Sequence, residues 1–151
     1  MNKNLIFSVI GLAVIILVLA GILLWPAPVP NGNVPNGNLP TGNSGIEITS
    51  PAPDSVVSAP LKITGFIKGD GWAGFEGQVG TVKLFDSQNN ELALGILTAT
   101  EEWMKAPPVN FETTLFFDYP GEGAGKLVFY NENASGEPER DKTFTLPVKL
   151  G

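Results

Sequence analysis

"GDGWAGFEGQVGTVKLFD", Gly69 to Asp86, has two readings that lead to different folds. Gly69, Gly71 and Gly74 satisfy the spacing G-x-G-x-x-G, which cradles a phosphate only where the glycines follow a strand and open a helix. Here they lead into "QVGTVKLFD", where Val79 and the pair Val82 and Leu84 want the same face yet are out of phase by one residue. A β-bulge at Gly80 restores the register, because a bulge adds one residue and re-aims every side chain after it. The segment is then a strand. Gly71, Gly74 and Gly77 serve the tight turn into it, and Phe75 is expected to plug the end of the core. No Lys-Ser/Thr closes the glycine motif, so nucleotide binding is not expected.

The same period of two continues on both sides of this strand. Ile46 and Ile48 alternate with Glu47 and Thr49, and Leu92, Leu94 and Ile96 alternate with Ala93, Gly95 and Leu97. Phe111, Thr113, Leu115 and Phe117 share one face, with Glu112, Thr114 and Asp118 on the other. Phe144, Leu146, Val148 and Leu150 alternate with Thr143, Thr145 and Lys149. Strict alternation marks half-buried strands. Seven are expected, at about 46–49, 61–68, 77–86, 91–99, 109–118, 125–131 and 143–150, separated by turn signals such as "KGDG", "DSQNN" and "YPGEG". Seven short strands in this length suit an all-β, seven-stranded immunoglobulin-like β-sandwich. Pro147 has no N–H for a ladder bond, so its strand should be an edge or bulged there.

Composition narrows the chemistry. The 151 residues contain no cysteine and no histidine. Disulfides, thiolate metal sites and cysteine nucleophiles are excluded, along with the commonest general base and metal ligand. Lys3 is the only charge before Glu47, which leaves the following domain with fifteen acids against eight bases, net −7. That surface repels a phosphate backbone, so no nucleic-acid partner is expected.

The chain divides into three parts: 1–25, 26–45 and 46–151. "LIFSVIGLAVIILVLAGILLW", Leu5 to Trp25, is 21 residues without a charge. As a helix it spans about 31 Å, the thickness of a bilayer's hydrocarbon core. With Lys3 in front and Trp25 at the far boundary, the positive-inside rule places the N-terminus in the cytoplasm and the domain outside. A single-pass transmembrane anchor is therefore expected at the cell membrane. The small residues of Val18–Gly21 also offer a signal-peptide cleavage pattern, although the apolar run exceeds the usual signal length. Either way the domain is extracytoplasmic. "VPNGNVPNGNLPTGN", Val29 to Asn43, repeats a five-residue unit three times. Its Pro and Gly content makes a tether, reaching about 25 Å as a flexible coil and about 60 Å if fully extended.

Three segments, "SPAPDSVVSAPLKITGFIKG", "FEGQVGTVKLFDSQNNELALGILTA" and "GKLVFYNENASGEPERDKTFTLPVKL", together resemble the bacterial immunoglobulin-like domain of spore-germination proteins. The resemblance covers about 46–150. It lies in an opening of the form "P…v.sPl.v.G", an "FEG" ahead of a long strand, and a close of the form "iPV.l". The stretch "PPVNF", Pro107 to Phe111, departs from the family's Pro-Phe pair ahead of the fifth strand. The resemblance implies an extracytoplasmic module attached to a membrane segment or to other envelope domains, with no catalytic residues to carry over.

If every strand reverses direction, the loops 69–76, 100–108 and 132–142 share one end and bring Trp72, Trp103 and Arg140 together. Exposed aromatics beside polar groups suit a ligand-binding surface for a cell-wall glycan or an envelope protein. In the competing reading, both tryptophans cap the open end of the core. The N-terminus arrives at this same end, so the loops face the tether unless the linker folds back. No catalytic site is expected: Asp70, Glu76, Glu101 and Glu102 are the acids near that end, and no nucleophile–base pair can be assembled. "DSQNNE", Asp86 to Glu91, lacks the repeated acids and the glycine of a calcium loop and reads as a hairpin turn. No metal and no cofactor are expected. Phe66, Phe116, Val128 and Tyr130 point away from the inner face, and clustered outside they would form a protein-interaction patch. The whole reads as a membrane-anchored, non-catalytic binding module of the cell envelope. The alternative is a structural domain that self-associates or scaffolds another envelope protein.

Overall fold

A computed structural model describes residues 41–42 and 45–151. The apolar segment 1–25 and most of the linker lie outside the described residues, among which no helix is long and apolar enough to cross a membrane. Among the described residues nine strands form: β1 (Thr41–Gly42), β2 (Ile46–Ser50), β3 (Val56–Val57), β4 (Leu61–Ile67), β5 (Gln78–Asp86), β6 (Glu91–Ala99), β7 (Val109–Leu115), β8 (Gly123–Asn131) and β9 (Thr143–Leu150). A single 3₁₀ turn, Pro138–Arg140, is the one helical element among the described residues. The seven strands expected from alternation are present as β2 and β4–β9, and the fold is all-β. Two features differ from that expectation. The two-residue strands β1 and β3 are additional, and the sheet is one continuous curled surface, not two separate sheets. Its order is β1-β9-β8-β5-β6-β7-β4-β2, with β3 also on β9. The halves β9-β8-β5-β6 and β7-β4-β2 join where Thr98 and Ala99 of β6 pair with Glu112 and Phe111 of β7.

The core fills the space inside the curl. Ile63 and Ile67 of β4, Val79, Val82 and Leu84 of β5, Phe111 and Leu115 of β7, Leu127 and Phe129 of β8, and Leu146 and Leu150 of β9 are all buried. In β5 the pairing with β6 shifts between Gln78 and Gly80, which is the bulge the sequence calls for. It lets Val79 and Val82 both face inward despite their odd spacing. Gly80 itself has φ 141°, and a Cβ there would lie 2.2 Å from the Tyr130 carbonyl oxygen. Pro147 sits on β9 in the gap between the residues paired to β1 and those paired to β3. Its missing N–H therefore interrupts no ladder, and its carbonyl accepts a 2.8 Å bond from the Asp54 N–H.

Strand β6 overturns one reading of the alternation. Gly95 and Leu97 face the core, whereas Leu94 and Ile96 are 53% and 46% exposed. Gly95 pairs with the inward Val82. The curl then leaves no room for a larger residue: a Cβ on Gly95 would meet the Leu115 side chain at 2.6 Å and Thr113 Oγ1 at 2.8 Å. The bulkier set points outward because the join between the two halves is tight.

The β5–β6 turn is built by Asp86. Its carboxylate accepts bonds from the backbone N–H groups of Gln88 (2.8 Å) and Asn90 (2.9 Å) and from Asn90 Nδ2 (2.8 Å). The Asn90 side chain, its backbone N–H and that of Gln88 favour the charged form and hold the Asp86 carboxyl below its usual range. A depressed folded-state pKa stabilises the fold above the unfolded value, near about 4, and this contribution is lost as pH falls through the folded value. Asp86→Ala is expected to lower the thermal midpoint at pH 7, and the deficit should shrink toward pH 2–3. Melts of both proteins across that range check it; a deficit independent of pH would show that the charge is not what holds the turn.

Candidate functional site

Antiparallel order brings the 68–77, 100–108 and 132–142 loops to one end of the fold, with the first lying between the other two. A Cβ on Gly71 would meet the Lys142 side chain at 2.9 Å, and one on Gly74 would meet Trp103 Cβ at 3.1 Å. The middle loop closes with a two-residue turn. Phe75 and Gln78 exchange backbone bonds of 2.7 and 2.9 Å, and Glu76 and Gly77 both have positive φ, 50° and 84°. Positive φ at both central positions matches the right-handed twist of the strands that such a turn joins.

This geometry exchanges the roles of the two aromatics in the loop. Trp72 is only 1% exposed and plugs the end of the core, whereas Phe75 is 46% exposed. The Phe75 plug expected from the sequence is therefore corrected. Between Gly71 and Gly77 the backbone leaves the extended state, so alternation no longer tells which ring turns inward. Buried Trp72 also offers no face on which a ligand could stack. Its indole Nε1 is covered and has no hydrogen-bond acceptor among the described residues.

Two clefts flank the middle loop, and Trp72 borders both. One, of about 460 Å³, lies against the 131–142 segment and includes Arg140 and Lys142. The other, of about 320 Å³, includes Trp103, Met104, Pro107 and Val109. Trp72 and Trp103 thus share an end and a cleft, while Arg140 lies in the neighbouring cleft. Trp103 is partly exposed, and its ring stands 6.5 Å from that of Phe75 at an interplanar angle of 59°. Met104 beside it is 70% exposed. Together these three side chains make an apolar ridge on the surface.

The loops around the ridge are held by polar side chains that the sequence reading did not single out. The Asn131 amide donates to the carbonyls of Gly71 (2.8 Å) and Arg140 (3.0 Å) and accepts from the Lys142 N–H (2.8 Å). It ties two of the three loops together. Asn133 donates to the Glu137 carbonyl and to Asp141, and Ser135 donates to Asn133, so the charged 132–142 loop is internally braced. Arg140 is engaged by Glu137 at 2.5 Å. The Glu101 carboxylate accepts from Lys105 Nζ (2.7 Å) and from the backbone N–H (2.7 Å) and side chain (3.0 Å) of Asn110. Lys105 first, then the Asn110 backbone, hold its carboxyl below the usual range. Glu101 is thus a brace for its loop. Among the described residues no three acids gather as a metal site.

The four outward aromatics and aliphatics do not form one patch. Phe66 pairs across to Glu47 and Asn110 on the β7-β4-β2 half. Val128 and Tyr130 lie on the other half, beside Lys83 and Thr81, and Phe116 lies past the end of β7. Exposed Leu94 and Ile96 lie on the same outer face as Val128 and Tyr130, two strands away, with Lys83 and Thr81 between them.

A family model described as the immunoglobulin-like domain of bacterial spore germination matches residues 45–137. No curated protein matches the chain, and no solved structure does.

Proposed function

Because this chain belongs to the family of immunoglobulin-like domains of bacterial spore germination, we propose that it is a non-catalytic binding module of the cell envelope. Residues 1–25 anchor it in the cell membrane, the linker carries the domain outside, and the loop end takes an envelope protein. The observation that carries this reading is the Phe75–Trp103–Met104 ridge. An exposed apolar cluster rimmed by polar loops is what a protein partner buries, and aromatics and methionine are enriched at the centres of such interfaces. Rings set 59° apart make a corner for an apolar side chain. A sugar's flat face needs a single open ring, and Trp103 alone could supply that.

A photo-crosslinking amino acid at Met104, in cells carrying the full chain, is expected to give a protein adduct that weakens at least about tenfold with Trp103→Ala. The same probe at Gln88, on the opposite end, should give none. Retention of the chain by purified peptidoglycan, abolished by Trp103→Ala, with no adduct at Met104, would replace the protein partner by a glycan.

The structural alternative draws on a different surface. Leu94 and Ile96, with Val128 and Tyr130 on the same outer face, offer an apolar strip for a second copy of the chain. A mass that doubles with concentration, and returns to the single value with Ile96→Lys, would favour it.

A further inference from the structure

An edge strand leaves a row of backbone N–H and C=O groups without a partner, and charge, bulges, proline or a covering strand keep such a row from pairing with another chain. Most edges of this sheet carry those devices. Strand β9 is covered by β1 at Phe144 and Thr145 and by β3 at Lys149 and Leu150, with Pro147 between. Strand β2 carries Glu47, held by Lys68 at 3.2 Å. Its pairing slips between Ile48 and Ser50, and Pro51 follows it. The free side of β7 beyond Glu112 is short, ending at Leu115, and lies beside the Lys62–Glu112 ion pair.

Strand β6 is the exception. It pairs with β5 along its length but with β7 only at Thr98 and Ala99. The Ala99 N–H donates to the Gly77 carbonyl on the β5 side (2.9 Å), and the Thr100 N–H to that of Asn110 on the β7 side (3.0 Å). These directions alternate along a strand, and β6 is regular from Thr98 back to Ala93. Leu97, Gly95 and Ala93 therefore bond β5, while Ile96 and Leu94 aim their N–H and C=O groups at the other side. Among the described residues no strand lies opposite them. Thr113 and Leu115 of β7 lie against the inner side of Gly95, where an added Cβ would meet them. From Ala93 to Leu97 the edge reads "ALGIL", without charge or proline.

We propose that this edge is a self-complementary seam, on which a second copy of the chain pairs antiparallel about a two-fold axis at Gly95. Leu94 of each copy then faces Ile96 of the other. The register follows from what is free. Placing Ile96 against itself would set Leu94 against Thr98, which β7 already holds. Placing Leu94 against itself would set Ile96 against Leu92, the extra residue where the pairing slips between Leu84 and Phe85. The register centred on Gly95 uses both free residues of each copy, in two bonded pairs with four N–H···O bonds. Exposed Leu94 and Ile96 cover one another across the seam. Two domains with fifteen acids against eight bases repel, yet this stretch brings no acid to the contact, and Glu91 at its start is held by Lys83 at 2.8 Å. A seam of about 17 Å is small beside a stable interface of about 1,200 Å² or more, so association is weak. The seam gives the self-association reading a geometry and asks nothing of the ridge.

The chain has no cysteine, so introduced thiols are its only ones. Full chains carrying Leu94→Cys and full chains carrying Ile96→Cys, on tags of different size, are mixed and oxidised. Opposed residues have Cα atoms about 5.5 Å apart, within disulfide reach, whereas 94–94 and 96–96 pairs stand about 9 Å apart, beyond it. The mixed disulfide is expected to exceed both like disulfides by at least about tenfold. Adding Leu94→Pro to the Ile96→Cys chain removes an N–H that β5 does not use, so the fold should stand and the mixed product should fall. A circular dichroism melt checks the fold; if the proline variant is unfolded, the ratio of mixed to like products decides alone. Like products at equal yield, or a mixed product that survives the proline in a folded chain, overturn the seam. Absence of any disulfide also overturns it. If the mass of the unmodified chain still doubles with concentration, the copies then meet through the outer strip; if it stays single, the self-association reading falls with the seam.

Discussion

Gly80→Ala is expected to cost at least about 3 kcal/mol, because it combines a clash with backbone and a positive φ. The new Cβ would lie 2.2 Å from the Tyr130 carbonyl oxygen, and the backbone there has φ 141°. No side-chain motion relieves this, because the clashing atom is backbone. Strand β5 lies between β8 and β6, so moving it off β8 disturbs the centre of one half of the sheet. A domain of this size has about 5–15 kcal/mol to lose, and the variant should be marginal or unfolded at 37 °C. Gly121→Ala is the control: φ is 134° there, yet nothing lies within 4 Å of the added Cβ. It meets backbone strain without crowding. Urea titrations followed by far-UV circular dichroism compare the two. Equal losses would mean that the close approach of β5 to β8 at the bulge is not what demands glycine.

The second large effect is at Trp72. Trp72→Ala should cost about 3–5 kcal/mol, since the ring is fully buried among the core side chains and its removal leaves a cavity. Trp72→Phe should cost far less, about 1–2 kcal/mol, because it keeps part of the volume and loses no hydrogen bond. A tryptophan whose N–H held the loop would show a Phe variant nearly as damaged as the Ala variant. Trp103→Ala should stay within about 1 kcal/mol of the parent, since its ring packs at the surface. That difference separates the two tryptophans of one cleft: one belongs to the fold, the other is free for a partner.

The split at Trp72 and Trp103 shows how far the site was legible. Alternation and chain reversal put both residues at one end with Arg140, and the structure has them there. Which aromatic of the middle loop is buried, Trp72 or Phe75, depends on a backbone that leaves the extended state, with positive φ at Gly69, Asp70, Gly71, Glu76 and Gly77. No pattern of apolar spacing reports that. The struts Asn131 and Glu101 were equally hidden. Four of their six bonds are to backbone groups, which carry no sequence signature.

By itself the sequence determined the all-β class, the approximate strands, the bulge at Gly80 and the break in strand pairing at Pro147. Each follows from a local rule: a period of two, a one-residue phase slip, an absent N–H. Tertiary structure alone decided the inward face of β6 and the separation of Phe66 from Val128 and Tyr130. When both faces of a strand are apolar, period two says which residues share a face but not which face is covered. That choice is made by the neighbouring strand and by the space the curl leaves beside it.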